Sequence, residues 1–90
     1  MNIDRIKLVE DALNKCETLR RDNPSGPFEY VAAQLRYVLA LLKGEDPDRS
    51  RLKDINIGLI ALREFDTRFP EFSDCLMAVE KIVDDMRFRR

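Results

Sequence analysis

Proline and glycine cut this chain into four stretches, and within each stretch apolar residues recur every three or four positions. Such spacing lines one face of an α-helix. A half-buried strand alternates with period two, and no segment does so for long enough to build a sheet. In the first stretch Ile6, Val9, Leu13, Cys16 and Leu19 form the stripe, with Asn2 as N-cap, and the run DNPSGP from Asp22 to Pro27 ends the helix. Pro27 suits the first turn of a second helix with Phe28, Val31, Leu35, Val38, Leu39 and Leu42 inward, and Gly44 is placed to close it in a left-handed conformation. The third stripe is Leu52, Ile55, Leu59 and Leu62, preceded by Ser50 as N-cap. Pro70 disfavours helical geometry at Phe69, which sets a break at Thr67 to Phe69 and opens a fourth helix. Its stripe is Phe72, Cys75, Leu76, Val79, Ile82, Val83 and Met86. The expected fold is all-α, an antiparallel up-down four-helix bundle forming one domain over 1–90, with helices near 3–21, 27–43, 51–66 and 70–88.

Ninety residues are enough for one modest core and too few for a deep cleft between two lobes. An apolar content of 44% argues for a folded domain although 37% of the chain is charged. With 16 basic against 17 acidic residues there is no cationic excess, so neither nucleic acid nor an anionic membrane is an expected partner. No run reaches the roughly 18 apolar residues of a membrane span. The opening MNIDRIKLVEDALNK lacks the apolar core of a secretory signal, so the expected location is cytoplasmic, with Cys16 and Cys75 reduced. Both cysteines fall at helix-period apolar positions and read as small buried hydrophobes.

Chemistry has little to work with. The absence of histidine removes imidazole acid–base catalysis, a Ser-His-Asp triad and the usual zinc sites, and there is no glycine-rich phosphate loop. The pairs Glu45 with Asp46, Glu64 with Asp66 and Asp84 with Asp85 offer oxygens to a hard cation, but adjacent helical residues diverge by about 100°, so a solvated acidic face is the simpler reading. No catalytic, cofactor-binding or metal residue is assigned, and the chain is not expected to be an enzyme.

What remains is surface. Tyr30, Gln34, Tyr37 and Leu41 form a second stripe on helix two, off the Leu35 face, and Ile57, Ile60, Ala61 and Glu64 do the same opposite Leu52 and Leu59. A bundle needs one stripe per helix. Either helices two and three are central and buried more than halfway round, or these eight residues form a protein-binding patch, for which tyrosine beside an amide and charges is a typical composition. Gly58 costs a helix about 1 kcal/mol relative to alanine, which fits close approach by a neighbouring helix or by a partner's backbone. Asp66 either braces the break before Pro70 with its side chain or reaches a partner.

The ordered series Gln34-Leu35-x-Tyr37, Asp48-Arg49-Ser50-x-Leu52, Gly58-x-x-Ala61-x-Arg63-Glu64-Phe65-Asp66 and Pro70-Glu71-x-Ser73-x-x-Leu76 resembles the small immunity proteins that neutralise NAD(P)+-hydrolysing type VI secretion effectors. The likeness spans roughly residues 28–80; helix one and the tail Phe88-Arg89-Arg90 add nothing to it. It implies an all-helical antidote that binds the toxin domain of a cognate effector, an NAD(P)+ glycohydrolase, and blocks its active site. Two other classes compete. A DNA-binding module would need a recognition helix rich in Arg, Asn and Gln, and helix three offers mainly Asn56 and Arg63. A homo-oligomeric scaffold, or an adaptor that binds another protein through helices two and three, would bury the same tyrosine stripe, and a homodimer in the toxin's absence is compatible with it.

Overall fold

Three of the four apolar stripes become continuous helices, and the third does not. A computed structural model describes residues 2–24 and 26–88 and contains the α-helices α1 (Asn2–Asp22), α2 (Phe28–Leu42), α3 (Ile57–Ile60) and α4 (Pro70–Phe88). The fold is all-α, with no strand among the described residues. The side chain of the expected cap Asn2, like Arg89 and Arg90 of the tail, lies outside the described residues. Pro70 opens α4 as its fixed geometry requires. Gly44 closes α2 with φ 75°, and the N–H groups of Gly44 and Glu45 donate back to Leu41 (3.1 Å) and Ala40 (2.9 Å).

α1 packs along both α2 and α4, and the third segment lies against α4. Their inward stripes merge in one apolar core, where Val9, Ala12 and Cys16 of α1 meet Val31, Leu35 and Val38 of α2 and Leu76, Val79 and Val83 of α4. Ile6, Leu13, Leu19, Leu39 and Cys75, all expected inward, are only half-buried and pack on the rim of that core. One end of the core is aromatic. Phe28 stacks on Phe65 with centroids 5.0 Å apart, Phe72 meets Phe65 edge-on at 5.1 Å, and Phe69 meets Phe28 edge-on at 5.7 Å. These rings fasten the starts of α2 and α4 to the end of the third segment. Each pair adds roughly 0.5–1.5 kcal/mol to the burial of its area.

The third segment departs from the expected helix over 51–66. It consists of a 3-10 turn at Leu52–Asp54, an extended residue at Ile55 (φ −70°, ψ 126°), the short α3, and a π turn at Ala61–Phe65. Ser50 caps nothing here; its N–H donates to Asp48 Oδ1 at 2.9 Å inside the preceding loop. Because Ile55 and Asn56 leave the helical path, the apolar phase is reset after Leu52 and Ile55. Ile57 and Ala61 are then fully buried and Ile60 nearly so, at 9% exposure, while Leu59 and Leu62 stand 50% and 58% exposed. Leu52 and Ile55 are buried and Glu64 exposed as expected, but between Ile57 and Leu62 the expected inward and outward faces are exchanged. Ile57, Ile60 and Ala61, expected on the outer surface, are core.

The exchange has a direct measure in chemical denaturation. Ile57→Ala is expected to remove about 2–5 kcal/mol of stability, the range for truncating a buried aliphatic side chain, and Leu59→Ala less than about 1 kcal/mol. A larger loss for Leu59→Ala than for Ile57→Ala would return Leu59 to the core and Ile57 to the surface.

Candidate partner surface

The break in the third segment is maintained by side chains that take over its helical hydrogen bonds. In an uninterrupted helix, Asn56 N–H would donate to Leu52 O, Gly58 N–H to Asp54 O, and Leu59 N–H to Ile55 O. Instead, Asn56 N–H donates to Gln34 Oε1 at 3.0 Å, and Gln34 Nε2 returns a bond to Asn56 Oδ1 at 2.8 Å. Gly58 N–H donates to Glu80 Oε1 at 3.0 Å. Arg87 donates from Nε to Leu52 O at 2.9 Å and from Nη2 to Ile55 O. Its remaining nitrogen, Nη1, holds Glu80 Oε2 at 2.9 Å and Asp84 Oδ1 at 2.7 Å. Arg87 and Glu80 are about four-fifths buried by this arrangement, at 21% and 17% side-chain exposure. Charge-assisted bonds in such surroundings are stronger than the neutral bonds they replace.

Gly58 is explained by the same contacts. A Cβ at this position would lie 2.8 Å from Glu80 Cγ and 3.2 Å from Glu80 Cβ, so α4 approaches here as closely as a bare backbone allows. Asp66 is exposed and forms no side-chain bond among the described residues; the corner before Pro70 is closed by the backbone, with Phe69 N–H on Phe65 O at 2.8 Å and Ser73 N–H on Phe69 O at 2.9 Å. The bracing role expected of Asp66 is therefore filled without it.

The tyrosine stripe on α2 is divided between internal duties and open surface. The Tyr37 hydroxyl donates to Asp48 O at 2.7 Å and accepts Arg51 N–H at 3.3 Å, and the Arg51 guanidinium lies 5.2 Å above its ring. Asp48 is itself fixed by hydrogen bonds from Ser50, which hold its carboxyl below the usual carboxylate range. Tyr37 and Gln34 thus tie the loop and the third segment to α2, and Leu41 packs half-buried on the core. Tyr30 remains 60% exposed, on a shallow groove of about 270 Å³ shared with Ala33, Gln34, Tyr37, Arg51, Asp54 and Ile55. Glu64 is also exposed, lining a polar cleft of about 300 Å³ with Asn23, Pro27, Phe28 and Arg68. A third groove, about 400 Å³, runs between α1 and α4 past Lys15, Leu19, Phe69 and Glu71. Of the eight expected contact residues, only Tyr30 and Glu64 project freely from the surface.

No cluster of three or more Cys, Asp or Glu able to hold a metal occurs among the described residues. Of the acidic pairs, Asp84 and Asp85 are engaged in ion pairs, Asp84 with Arg87 at 2.7 Å and Asp85 with Arg5 at 2.5 Å. Cys16, fully buried, donates its thiol hydrogen to Phe28 O at 3.2 Å, and burial pushes its pKa from 9.0 up to about 11. Such a thiol is inert packing rather than a nucleophile. No helix among the described residues is long and apolar enough to cross a membrane.

A family model, Tsi6, matches residues 4–85. The chain belongs to the Tsi6 family of type VI secretion immunity proteins. Neither a curated protein nor a solved structure matches it. Membership in Tsi6 implies a protein partner, a cognate effector, so the features that matter are exposed side chains and what positions them. In this Tsi6 chain those include Leu59 and Leu62, which helical periodicity alone had assigned to the core.

Two measurements probe the clamp and the core. Gly58→Ala is expected to destabilise the chain by about 1–3 kcal/mol even though alanine gains roughly 1 kcal/mol in a helix, because the Glu80 contacts must break; a raised midpoint would contradict the close approach. For Cys16 the native state holds its proton more tightly than the unfolded state. Stability is therefore unaffected below pH 9.0 and falls as pH rises from there to about 11, and Cys16→Ala removes that part of the slope. Identical pH profiles for the two proteins would exclude it.

Proposed function

We propose that this chain is the antidote to a type VI effector whose toxin domain hydrolyses NAD(P)+, and that it acts by lying over the toxin's active site. The match to Tsi6 across residues 4–85 carries this reading. The chain's own chemistry accords with a binding role: its perturbed thiol is sealed in the core, and the part-buried network around Arg87 is committed to shaping the third segment. An antidote acts by occupancy, so its effectiveness depends on a slow off-rate, which comes from a few well-packed anchors within a water-excluding rim. The packed helices supply a stiff support for those anchors.

Tyr30 and Glu64 are the contact residues in this reading, while Gln34 and Tyr37 brace the third segment and the loop before it against α2. Tyr30 can bury its ring in an apolar recess while its hydroxyl keeps a polar partner. Glu64 adds a carboxylate able to pair with a cation on the toxin.

The test is co-expression with the toxin domain of a type VI effector sought in the reading frame next to that of this chain, following growth and intracellular NAD+. Protection with NAD+ maintained, and competition between the chain and NAD+ for the purified toxin domain, are expected; loss of NAD+ in cells that contain the folded chain would overturn the reading. Tyr30→Ala is expected to weaken binding by about thirtyfold, or roughly 2 kcal/mol, without lowering the melting temperature. Tyr37→Phe behaves differently. It removes the bonds to Asp48 and Arg51 and lowers stability by about 1 kcal/mol.

A further inference from the structure

We infer that Leu59 and Leu62 form the apolar anchor with which this chain enters a concave, apolar recess on the toxin domain of its effector. The inference rests on the reading of the chain as an antidote, and it names a part of the contact surface that the tyrosine stripe does not include.

Three observations carry it. First, the exposure of these leucines is imposed by the fold and does not follow from the local sequence. A continuous helix over 51–66 would turn Leu59 and Leu62 inward together with Leu52 and Ile55, yet Gln34, Glu80 and Arg87 hold the segment in another register, and Gly58 makes room for it. Second, the pair spans the junction of α3 with the π turn Ala61–Phe65, a rare geometry that is frequent at functional sites. Third, the composition is that of an interface centre. Two leucines three apart share a face, at 50% and 58% exposure, and the exposed Arg63, Glu64 and Asp66 follow at once as a polar margin of both signs.

The occupant follows from shape and area. Neither leucine lines any of the grooves described above, and both stand half or more exposed. A two-fold contact between copies would need the pair to meet a complementary patch elsewhere on the second copy, which is the outcome that sedimentation reads below. Two half-exposed leucines fall short of the ~800 Å² per partner of a stable interface; they anchor a larger contact whose other side supplies the recess. For a chain of the Tsi6 family, that other side is the effector.

The experiment compares the wild-type chain with L59S/L62S, using as probe the toxin domain of a type VI effector sought in the reading frame next to that of this chain. Binding is followed by biolayer interferometry, NAD+ hydrolysis by a fluorescence assay, oligomeric state by sedimentation and folding by thermal melting. The expected result is at least about thirtyfold weaker binding, through faster dissociation, at an unchanged or higher melting temperature. Binding within about threefold of wild type overturns the inference, as does a wild-type dimer that the double variant dissociates while toxin affinity is unchanged. Failure of the wild-type chain to bind the toxin domain overturns both this inference and the antidote reading. Tight wild-type binding without inhibition of hydrolysis, lost in L59S/L62S, supports the anchor while refuting coverage of the active site.

Discussion

Arg87 holds the third segment out of the helix that its own sequence favours. A guanidinium carries more donors than a single carbonyl can use, and here they are divided between two backbone oxygens, Leu52 O and Ile55 O, and two carboxylates, Glu80 and Asp84. Glu80 passes the restraint on to Gly58 N–H with its second oxygen. A lysine, with one ammonium centre, would not reproduce this planar distribution. The burial of Ile57, Ile60 and Ala61, the exposure of Leu59 and Leu62, and the proximity of α4 at Gly58 all follow from the register that these bonds impose.

The sequence predicted well wherever contacts are local. The stripes of α1, α2 and α4, the closing role of Gly44 and the start of α4 at Pro70 depend on spacings of a few residues and on the fixed backbone preferences of glycine and proline. The third segment departs from its period because Ile55 and Asn56 leave the helical path. Nothing within Leu52 to Phe65 announces the break except Gly58 and the unusually dense apolar run around it, which is compatible with two registers. The deciding residues, Gln34 on α2 and Glu80 and Arg87 on α4, lie 22 or more positions in sequence from the residues they bond. Charged and amide side chains on amphipathic helices ordinarily face solvent, so no periodicity marks them as internal. The candidate surface suffered the same error. Tyr30 and Glu64 were placed outward correctly, Ile57, Ile60 and Ala61 were not, and Gln34 and Tyr37 turned out to be engaged with the chain itself.

Two tethers hold the third segment at its two ends by different physics. At its start, polar groups replace backbone bonds with directional ones. At its end, Phe65 is enclosed by Phe28, Phe69 and Phe72, a contact that is broad and weakly directional. The polar tether fixes rotation about the segment axis and the aromatic one fixes its depth. A binding element needs both, since an anchor side chain that rotates or sinks by a fraction of an ångström loses the packing on which a slow off-rate depends.

The tethers also divide the segment by inheritance. Every residue through which the scaffold grips it, from Leu52, Ile55 and Asn56 to Gly58, Ala61 and Phe65, is engaged with the rest of the chain, whereas Leu59, Leu62, Arg63 and Glu64 face outward between those positions. Mutations at the outward positions leave the grip intact, so they drift at little thermodynamic risk. A lineage of such antidotes can then follow a changing adversary by altering a handful of interleaved side chains on an unchanged support, and retargeting becomes a problem of recognition alone rather than of refolding.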